Sequence, residues 1–179
     1  MSARQALVEH LRAHSLRTDG PFTLASGKVA DWYMDARRTT FSANGAPLVA
    51  RAILEVLASD IRAVGGMTMG ADPIAVATAT LSQGRVDAFS IRKQAKDHGT
   101  GGRLVGPVEP ATPVAVLEDT TTTGGAFLEA VDVAQAAGLD VVQAISLFDR
   151  SAGTVEGLMA SRSLPYVALV VPADLGVAV

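Results

Sequence analysis

The chain has 179 residues and a formal net charge of -3, and 49% of its residues are hydrophobic, 18% charged and 4% aromatic. Its length and apolar content suggest one domain with a sizeable core. The negative charge argues against general nucleic-acid binding, and the lack of cysteine excludes disulfides and thiolate metal sites. The N-terminal segment does not resemble a secretory signal, and no apolar run is long enough for a membrane span. We therefore expect a cytoplasmic protein with neither nucleic acid nor membrane as a partner.

Apolar periodicity predicts alternating helices and strands along the chain. The predicted helices cover residues 3–16, 47–57, 72–82 (capped by Asp72 and opened by Pro73), 124–137 and 153–160. The predicted strands cover residues 31–36, 61–67, 86–91, 113–118, 140–148 and 166–171. Continuous apolar strands are typical of a parallel sheet that is covered on both faces, so the predicted fold class is α/β. Residues 92–112 lack periodicity and predict a long loop, a length at which loops often act as functional lids.

The segment VAVLEDTTTTGGA, residues 114–126, joins a predicted strand to a predicted helix. In a parallel α/β sheet, ligands bind beyond the carboxyl ends of the strands. The helix N-terminus there offers free N–H groups, and a turn of threonines and glycines can wrap a phosphate. Glu118 and Asp119 repel phosphate, but their oxygens can accept hydrogen bonds from a sugar diol or help to hold hydrated Mg²⁺. The segment therefore predicts a site for a ribose phosphate.

A second segment, IRKQAKDHGTGGRLVG at residues 91–106, is rich in cations and glycine. It places five potential cations within twelve residues: Arg92, Lys93, Lys96, His98 and Arg103. A cationic, glycine-rich loop suits a lid that closes over a polyanion and excludes water from a reactive intermediate. The simpler alternative for this segment is a solvated surface loop.

Together the two segments resemble known motifs. VLEDTTTTGGA is similar to the phosphoribosyl pyrophosphate (PRPP) signature of type I phosphoribosyltransferases, and RKQAKDHGTGGRLVG resembles the catalytic loop of the orotate phosphoribosyltransferase family. FTLASGK (22–28) and LFDR (147–150) fall where that family has matching segments. The resemblance implies a type I phosphoribosyltransferase fold. In this fold a central, mostly parallel sheet is flanked by helices, and a single domain over 1–179 has a small hood at about 1–40 and a core at about 41–179.

The resemblance also implies a reaction and its residues. Ribose 5-phosphate would pass from PRPP to orotate, giving orotidine 5′-monophosphate and pyrophosphate in pyrimidine biosynthesis. Lys96, His98 and Asp119 are the implied catalytic residues. The implied PRPP contacts are Arg92, Lys93, Lys96 and His98 for pyrophosphate, Glu118 and Asp119 for ribose, and Thr120, Thr121, Thr122, Thr123, Gly124, Gly125 and Ala126 for the 5′-phosphate. The implied orotate contacts are Tyr33, Met34, Thr122 and Arg150.

Further implications concern the metal and the assembly. Mg²⁺ would arrive with PRPP and would reach Glu118 and Asp119 only through water. The catalytic loop of the family enters the neighbouring subunit's site, which implies a homodimer with shared active sites. The chain also departs from the family pattern, because Ala25, Thr68 and Met69 stand where many relatives carry lysine or Tyr-Lys. Lys28 or Arg37 is a candidate to replace the missing cation at position 25.

Three alternatives to this reading remain open from the sequence. A purine or another pyrimidine phosphoribosyltransferase would share the phosphate site, but a neutral base needs no carboxylate partner such as Arg150. A PRPP-sensing regulator would not need the basic loop. An unrelated doubly wound α/β domain would use Asp119 as an ordinary helix cap. For Arg150 itself, the simpler alternative is a surface ion pair with Asp149.

Overall fold

The computed structural model describes residues 2–23, 29–96 and 102–178, apart from the Lys96 side chain. Its centre is a six-stranded sheet in the order β10-β9-β8-β5-β6-β7. Neighbouring strands run parallel, except that β7 pairs antiparallel with β6 at one edge. The strands of this sheet are β5 (Ala63–Met67), β6 (Asp87–Lys96), β7 (Gly102–Val105), β8 (Pro113–Thr121), β9 (Asp140–Asp149) and β10 (Tyr166–Val170).

Helices cover both faces of the sheet and enclose two apolar cores. One core joins side chains of α1 (Ala3–His14), α3 (Gly45–Val56) and α4 (Ala71–Leu81) to one face. The other joins α5 (Gly125–Ala136) and α6 (Thr154–Ala160) to the opposite face. Strand β8 serves both, since Ala115 and Leu117 enter the first core and Val114 and Val116 the second. Its unbroken apolar run follows from burial on both sides, and the α/β prediction is confirmed.

The first 40 residues form small elements beside this sheet. Strand β1 (Leu16–Arg17) pairs with β4 (Tyr33–Met34), and β2 (Phe22–Thr23) pairs with β3 (Val29–Ala30), before the short helix α2 (Arg37–Thr40). These N-terminal elements are held by contacts with the C-terminal segment, which includes α7 (Pro172–Leu175). Arg4 donates hydrogen bonds to Asp174 and to the Leu169 carbonyl, and Trp32 Nε1 donates to the Ala178 carbonyl at 2.8 Å. The division into hood and core stays a prediction.

The sequence prediction was wrong about residues 92–112, which are not one long loop. Strand β6 continues to Lys96, and β7 returns along it at the sheet edge. An edge strand has one unpaired side and needs no continuous apolar pattern, so its polar residues concealed it from a periodicity argument. Residues 97–101 of that stretch lie outside the described part of the chain.

Smaller differences concern where elements begin and end. The strand predicted over 31–36 is limited to Tyr33–Met34, because Asp35 and Ala36 already turn towards α2. Helix α4 begins at Ala71, and Asp72 does not cap it but accepts a 2.6 Å hydrogen bond from the Thr68 hydroxyl. Among the described residues, no helix is long and apolar enough to cross a membrane.

Candidate active site

The carboxyl ends of β5 and β8 open into a cavity of about 500 Å³. Lys93 of β6 lies on one side, and the turn of Thr68, Met69 and Gly70 after β5 lies on another. The full set of lining residues is Arg37, Met67, Thr68, Met69, Gly70, Lys93, Glu118, Asp119 and Ala126. The cavity therefore lies where an open parallel sheet is expected to bind its ligand.

Two adjacent acids, Glu118 and Asp119, line this cavity at the end of β8. Burial first, and the neighbouring Asp119 carboxylate second, raise the pKa of Glu118 to about 8. Glu118 is 8% exposed, and its Oε2 atom has no hydrogen-bond partner among the described residues. The acid is thus protonated near neutral pH and has a free oxygen for a ligand.

The Asp119 carboxylate lies directly against the turn after β5. Its Oδ1 accepts a 2.7 Å hydrogen bond from the Thr120 backbone N–H. A Cβ atom at Gly70 would lie 2.7 Å from the same oxygen, so glycine is needed at position 70 for this approach. The bond and the glycine fix the carboxylate at the cavity wall.

A smaller cavity of about 90 Å³ adjoins the first, and Glu118 and Ala126 line both. Its other lining residues are Thr120, Thr121, Thr122, Thr123, Gly124, Gly125 and Phe127. Gly124 has φ +81°, in the left-handed region that favours glycine, and precedes the first turn of α5. The N-terminal amides of α5 therefore border a small polar cavity, which is the form of an anion site.

The basic residues of β6 approach the same strand ends. Ile91 pairs with Leu104, and Lys96 pairs with Gly102, so β6 has a bulge between these two pairs. Side chains within the bulge do not alternate regularly between the two faces of the sheet. Within the bulge, Arg92 is half-buried, and the exposed Lys93 lines the larger cavity. The side chain of Lys96 and all of His98 lie outside the described residues.

Arg103, on the returning strand β7, fixes this edge of the sheet. Its Nε donates to the Arg92 carbonyl at 2.7 Å, and its Nη2 donates to Glu129 of α5 at 2.6 Å. One guanidinium thus links β7, β6 and α5. Arg103 therefore supports the position of Arg92 and Lys93 rather than facing the cavity itself.

A buried polar network holds the ends of β8 and β9 together. Asp149 is 7% exposed and accepts hydrogen bonds from the Thr121 hydroxyl (2.8 Å), the Ser151 N–H (2.7 Å) and the Tyr166 hydroxyl (2.9 Å). Burial alone would raise the pKa of Asp149, but these three donors outweigh it and lower the pKa. The carboxylate is therefore charged and fully used by this network, which argues against the simpler alternative of a surface ion pair between Asp149 and Arg150.

Arg150 instead stacks on Trp32. The guanidinium carbon lies 4.4 Å from the indole centroid, and the Arg150 N–H donates to the Thr121 carbonyl at 3.0 Å. Trp32 is itself held edge-on by Phe148, with ring centroids 6.1 Å apart. Trp32 belongs to none of the sequence motifs, and nothing local to it reveals a partner so distant in the chain. The structure makes it the residue that orients Arg150.

The two predicted orotate contacts from the hood have different surroundings. Met34 is buried in the first core, whereas Tyr33 is half-buried with its ring 6.0 Å from that of Phe22. Neither is among the described residues that line the two cavities at the strand ends. Ala25 and Lys28 lie outside the described part of the chain.

Comparison with known proteins gives a consistent picture, although no protein-family model matches the chain. An orotate phosphoribosyltransferase of Streptomyces avermitilis is 43% identical over 167 residues, which cover 91% of each chain. The Mycobacterium tuberculosis H37Rv orotate phosphoribosyltransferase in complex with Fe(III) dicitrate superposes with a TM-score of 0.88 at 38% identity, covering 98% of this chain and 99% of that one. The same mycobacterial protein in complex with PRPP gives a TM-score of 0.83 at 34% identity, with the same coverage. The chain belongs to the orotate phosphoribosyltransferase family.

Proposed function

We propose that this site transfers ribose 5-phosphate from PRPP to orotate. N1 of orotate forms a bond to the anomeric carbon as the bond from that carbon to the pyrophosphate oxygen breaks, and the proton of N1 is released to water. The observation that carries the proposal is the pair of adjoining cavities that share Glu118 and Ala126. The smaller cavity suits the 5′-phosphate, and the larger cavity suits the ribose with its diphosphate.

The smaller cavity binds the 5′-phosphate in this proposal. The α5 amides and the hydroxyls of Thr120 to Thr123 supply donors, while Gly124 and Gly125 let the backbone approach. Glu118 and Asp119 then lie beside the ribose, where their oxygens accept hydrogen bonds from its hydroxyls. Asp119 carries the negative charge that stabilises an oxocarbenium-like transition state.

The departing pyrophosphate accumulates negative charge, which nearby cations offset. Lys93 lines the larger cavity and is the described cation of β6 that faces it. Arg92, Lys96 and His98 keep their proposed roles as pyrophosphate ligands. Lys96 is the preferred candidate for neutralising or protonating the leaving group.

Arg150 and Thr122 recognise orotate in this proposal. A guanidinium binds a carboxylate with two parallel hydrogen bonds, which a neutral base could not use. The indole of Trp32 supports one face of Arg150 and leaves the edge of the guanidinium, where the donors lie, for the ligand. Tyr33 and Met34 remain proposed contacts from the hood.

Mg²⁺ is the proposed cofactor, and the acids at the end of β8 fit it. Asp119 supplies a carboxylate at the cavity wall, a ligand that Mg²⁺ prefers. A bound cation would lower the raised pKa of Glu118 and so ionise its unpartnered oxygen. Glu118 and Asp119 would hold the hydrated ion that accompanies PRPP. Mg²⁺ bound there would neutralise charge on the pyrophosphate.

We also propose a cytoplasmic homodimer with shared active sites. Val76 (58% exposed) and Val105 (39%) line one groove between α4 and β7, and Met69 (58%) is exposed at the larger cavity. Exposed apolar side chains of this kind suit a second copy of the chain. Sedimentation equilibrium should give twice the chain mass, and a monomeric mass at working concentrations would contradict it.

A spectrophotometric assay tests the activity by following the loss of orotate absorbance with PRPP and Mg²⁺. Asp119→Asn should reduce turnover about 100-fold, since one group that stabilises transition-state charge is removed. Asp132→Asn is the matched control, because Asp132 pairs with Arg162 on the surface of α5. Turnover with another base, or binding of PRPP without turnover, would contradict the proposal and indicate a different transferase or a regulator.

A further inference from the structure

Two adjacent arginines on α2 face different cavities. Arg37 lines the cavity of about 500 Å³ at the strand ends, together with Glu118 and Asp119. Arg38 lines a separate cavity of about 210 Å³ with His10, His14, Ser42, Ala43 and Asn44. Both side chains are exposed, and they belong to the same short helix. The sequence alone cannot distinguish them, but the structure gives only Arg37 access to the active site.

The larger cavity is short of positive charge for the ligand that it must hold. Its described lining contains two cations, Arg37 and Lys93, against the acids Glu118 and Asp119. The turn of Thr68, Met69 and Gly70 adds no charge to the wall. PRPP brings a diphosphate into this space, so each available cation matters for binding.

Arg37 is free to serve as a ligand. Among the described residues, its side chain makes one hydrogen bond, from Nε to Asp35 Oδ1 at 3.2 Å. A guanidinium has five N–H donors, so both terminal nitrogens remain available. The Asp35 carboxylate mainly, and Asp119 more weakly, raise the pKa of Arg37, which agrees with a position facing the acids across the cavity.

We propose that Arg37 is a further PRPP ligand, which binds the diphosphate and so the departing pyrophosphate. This inference rests on the proposed function. Arg37 is absent from the lining of the smaller cavity, which takes the 5′-phosphate. The diphosphate is the other anionic group of PRPP and extends into the larger cavity. There a guanidinium can bind two phosphate oxygens at once.

Three variants and three ligands test this role. Arg37→Ala should weaken the binding of PRPP and of pyrophosphate about tenfold, the effect of losing a charge-assisted hydrogen bond. Ribose 5-phosphate lacks the diphosphate, and its binding should change less than twofold. Isothermal titration of the full chain with each ligand measures these affinities, and steady-state kinetics gives the KM for PRPP.

Two controls separate the role of Arg37 from effects on the fold. Arg38→Ala removes the neighbouring cation from the other cavity, and Asp35→Ala breaks the only described ion pair of Arg37. Neither should weaken PRPP binding. Equal losses in Arg37→Ala and Arg38→Ala, or equal losses for PRPP and ribose 5-phosphate, would overturn the inference. Failure of the parent chain to bind PRPP would instead overturn the proposed function.

Discussion

The two sides of the active site are built differently. The β8–α5 side rests on a buried polar network, in which Asp149 accepts hydrogen bonds from Thr121 and Tyr166, and Gly124 begins the turn into α5 with a left-handed backbone. The opposite side consists of exposed cations, Arg37 on the short helix α2 and Lys93 on β6, the strand next to the sheet edge. In the proposed function, the preorganised backbone binds the 5′-phosphate, which stays bound through the reaction. The exposed side chains bind the pyrophosphate, which must depart.

The sharpest test of this contrast is to distort the preorganised side at Gly124. Gly124→Ala should weaken PRPP binding about 100-fold, because the added Cβ would lie 3.0 Å from Val155 Cγ2 and displace more than one amide donor. The strained φ of +81° should also cost about 1–2 kcal/mol of stability. Titration calorimetry with PRPP and urea unfolding measure the two effects.

Gly153 provides the matched control for this variant. It also precedes a helix with a left-handed backbone, at φ +87°, but an added Cβ would meet nothing within 4 Å. Gly153→Ala should therefore lose comparable stability and retain PRPP affinity. If both variants lost affinity equally, strain rather than cradle geometry would explain the loss.

A smaller effect, on the KM for orotate, is expected when Trp32 no longer supports the Arg150 guanidinium. Trp32→Leu should raise the KM for orotate about tenfold, since the cation–π contact contributes on the order of 1–2 kcal/mol. Trp32→Phe keeps an aromatic face but loses the Nε1 hydrogen bond to Ala178, so an intermediate value is expected. Steady-state kinetics with both substrates varied gives the result. A parallel rise in the KM for PRPP would count against a specific role in orotate binding.

A further effect, on stability rather than on ligand binding, is expected from Glu118, the buried acid at the boundary of the two sides. Because the pKa of Glu118 is raised from 4.5 to about 8, the folded chain retains, between these pH values, a proton that the unfolded chain has already lost. The free energy of unfolding therefore falls as pH rises through this window. Glu118→Gln has no such titration, so its Tm should exceed that of the parent by a margin that grows from pH 5 to pH 9.

Scanning calorimetry without ligand, at several pH values, checks this prediction. Glu55→Gln, at an exposed position of α3, is the control and should follow the parent curve. Parallel curves for the parent and Glu118→Gln would show that Glu118 is ionised throughout the range.

The sequence could predict the features that are encoded within one short segment of the chain. The proposed 5′-phosphate site and the two acids lie in one continuous segment, and a strand followed by a glycine turn and a helix brings them together by local geometry alone. Most strands and helices were likewise predicted from apolar periodicity within short windows. The strand β7 was missed because an edge strand need not bury both faces and therefore leaves no apolar run.

Contacts between distant segments could not be predicted from the sequence. Trp32 and Arg150 meet only because the first 40 residues fold back onto the ends of β8 and β9. Asp149 and Arg150 are neighbours in the chain, which suggested an ion pair, yet the carboxylate is buried and the guanidinium is not. Likewise Arg37 and Arg38 are identical in type, and only the orientation of α2 separates their cavities.

The alternation along β8 has a consequence for its two terminal acids. Successive residues of a strand point to opposite faces, so Glu118 continues the row that faces α5 while Asp119 continues the row that faces α4. The contacts agree, since Glu118 lines the cradle and Asp119 lies against Gly70. The doublet is therefore not a duplicated acid with a spare copy. Both carboxylates line the larger cavity, but Glu118 also lines the smaller one and Asp119 lies against Gly70, so neither can take the place of the other.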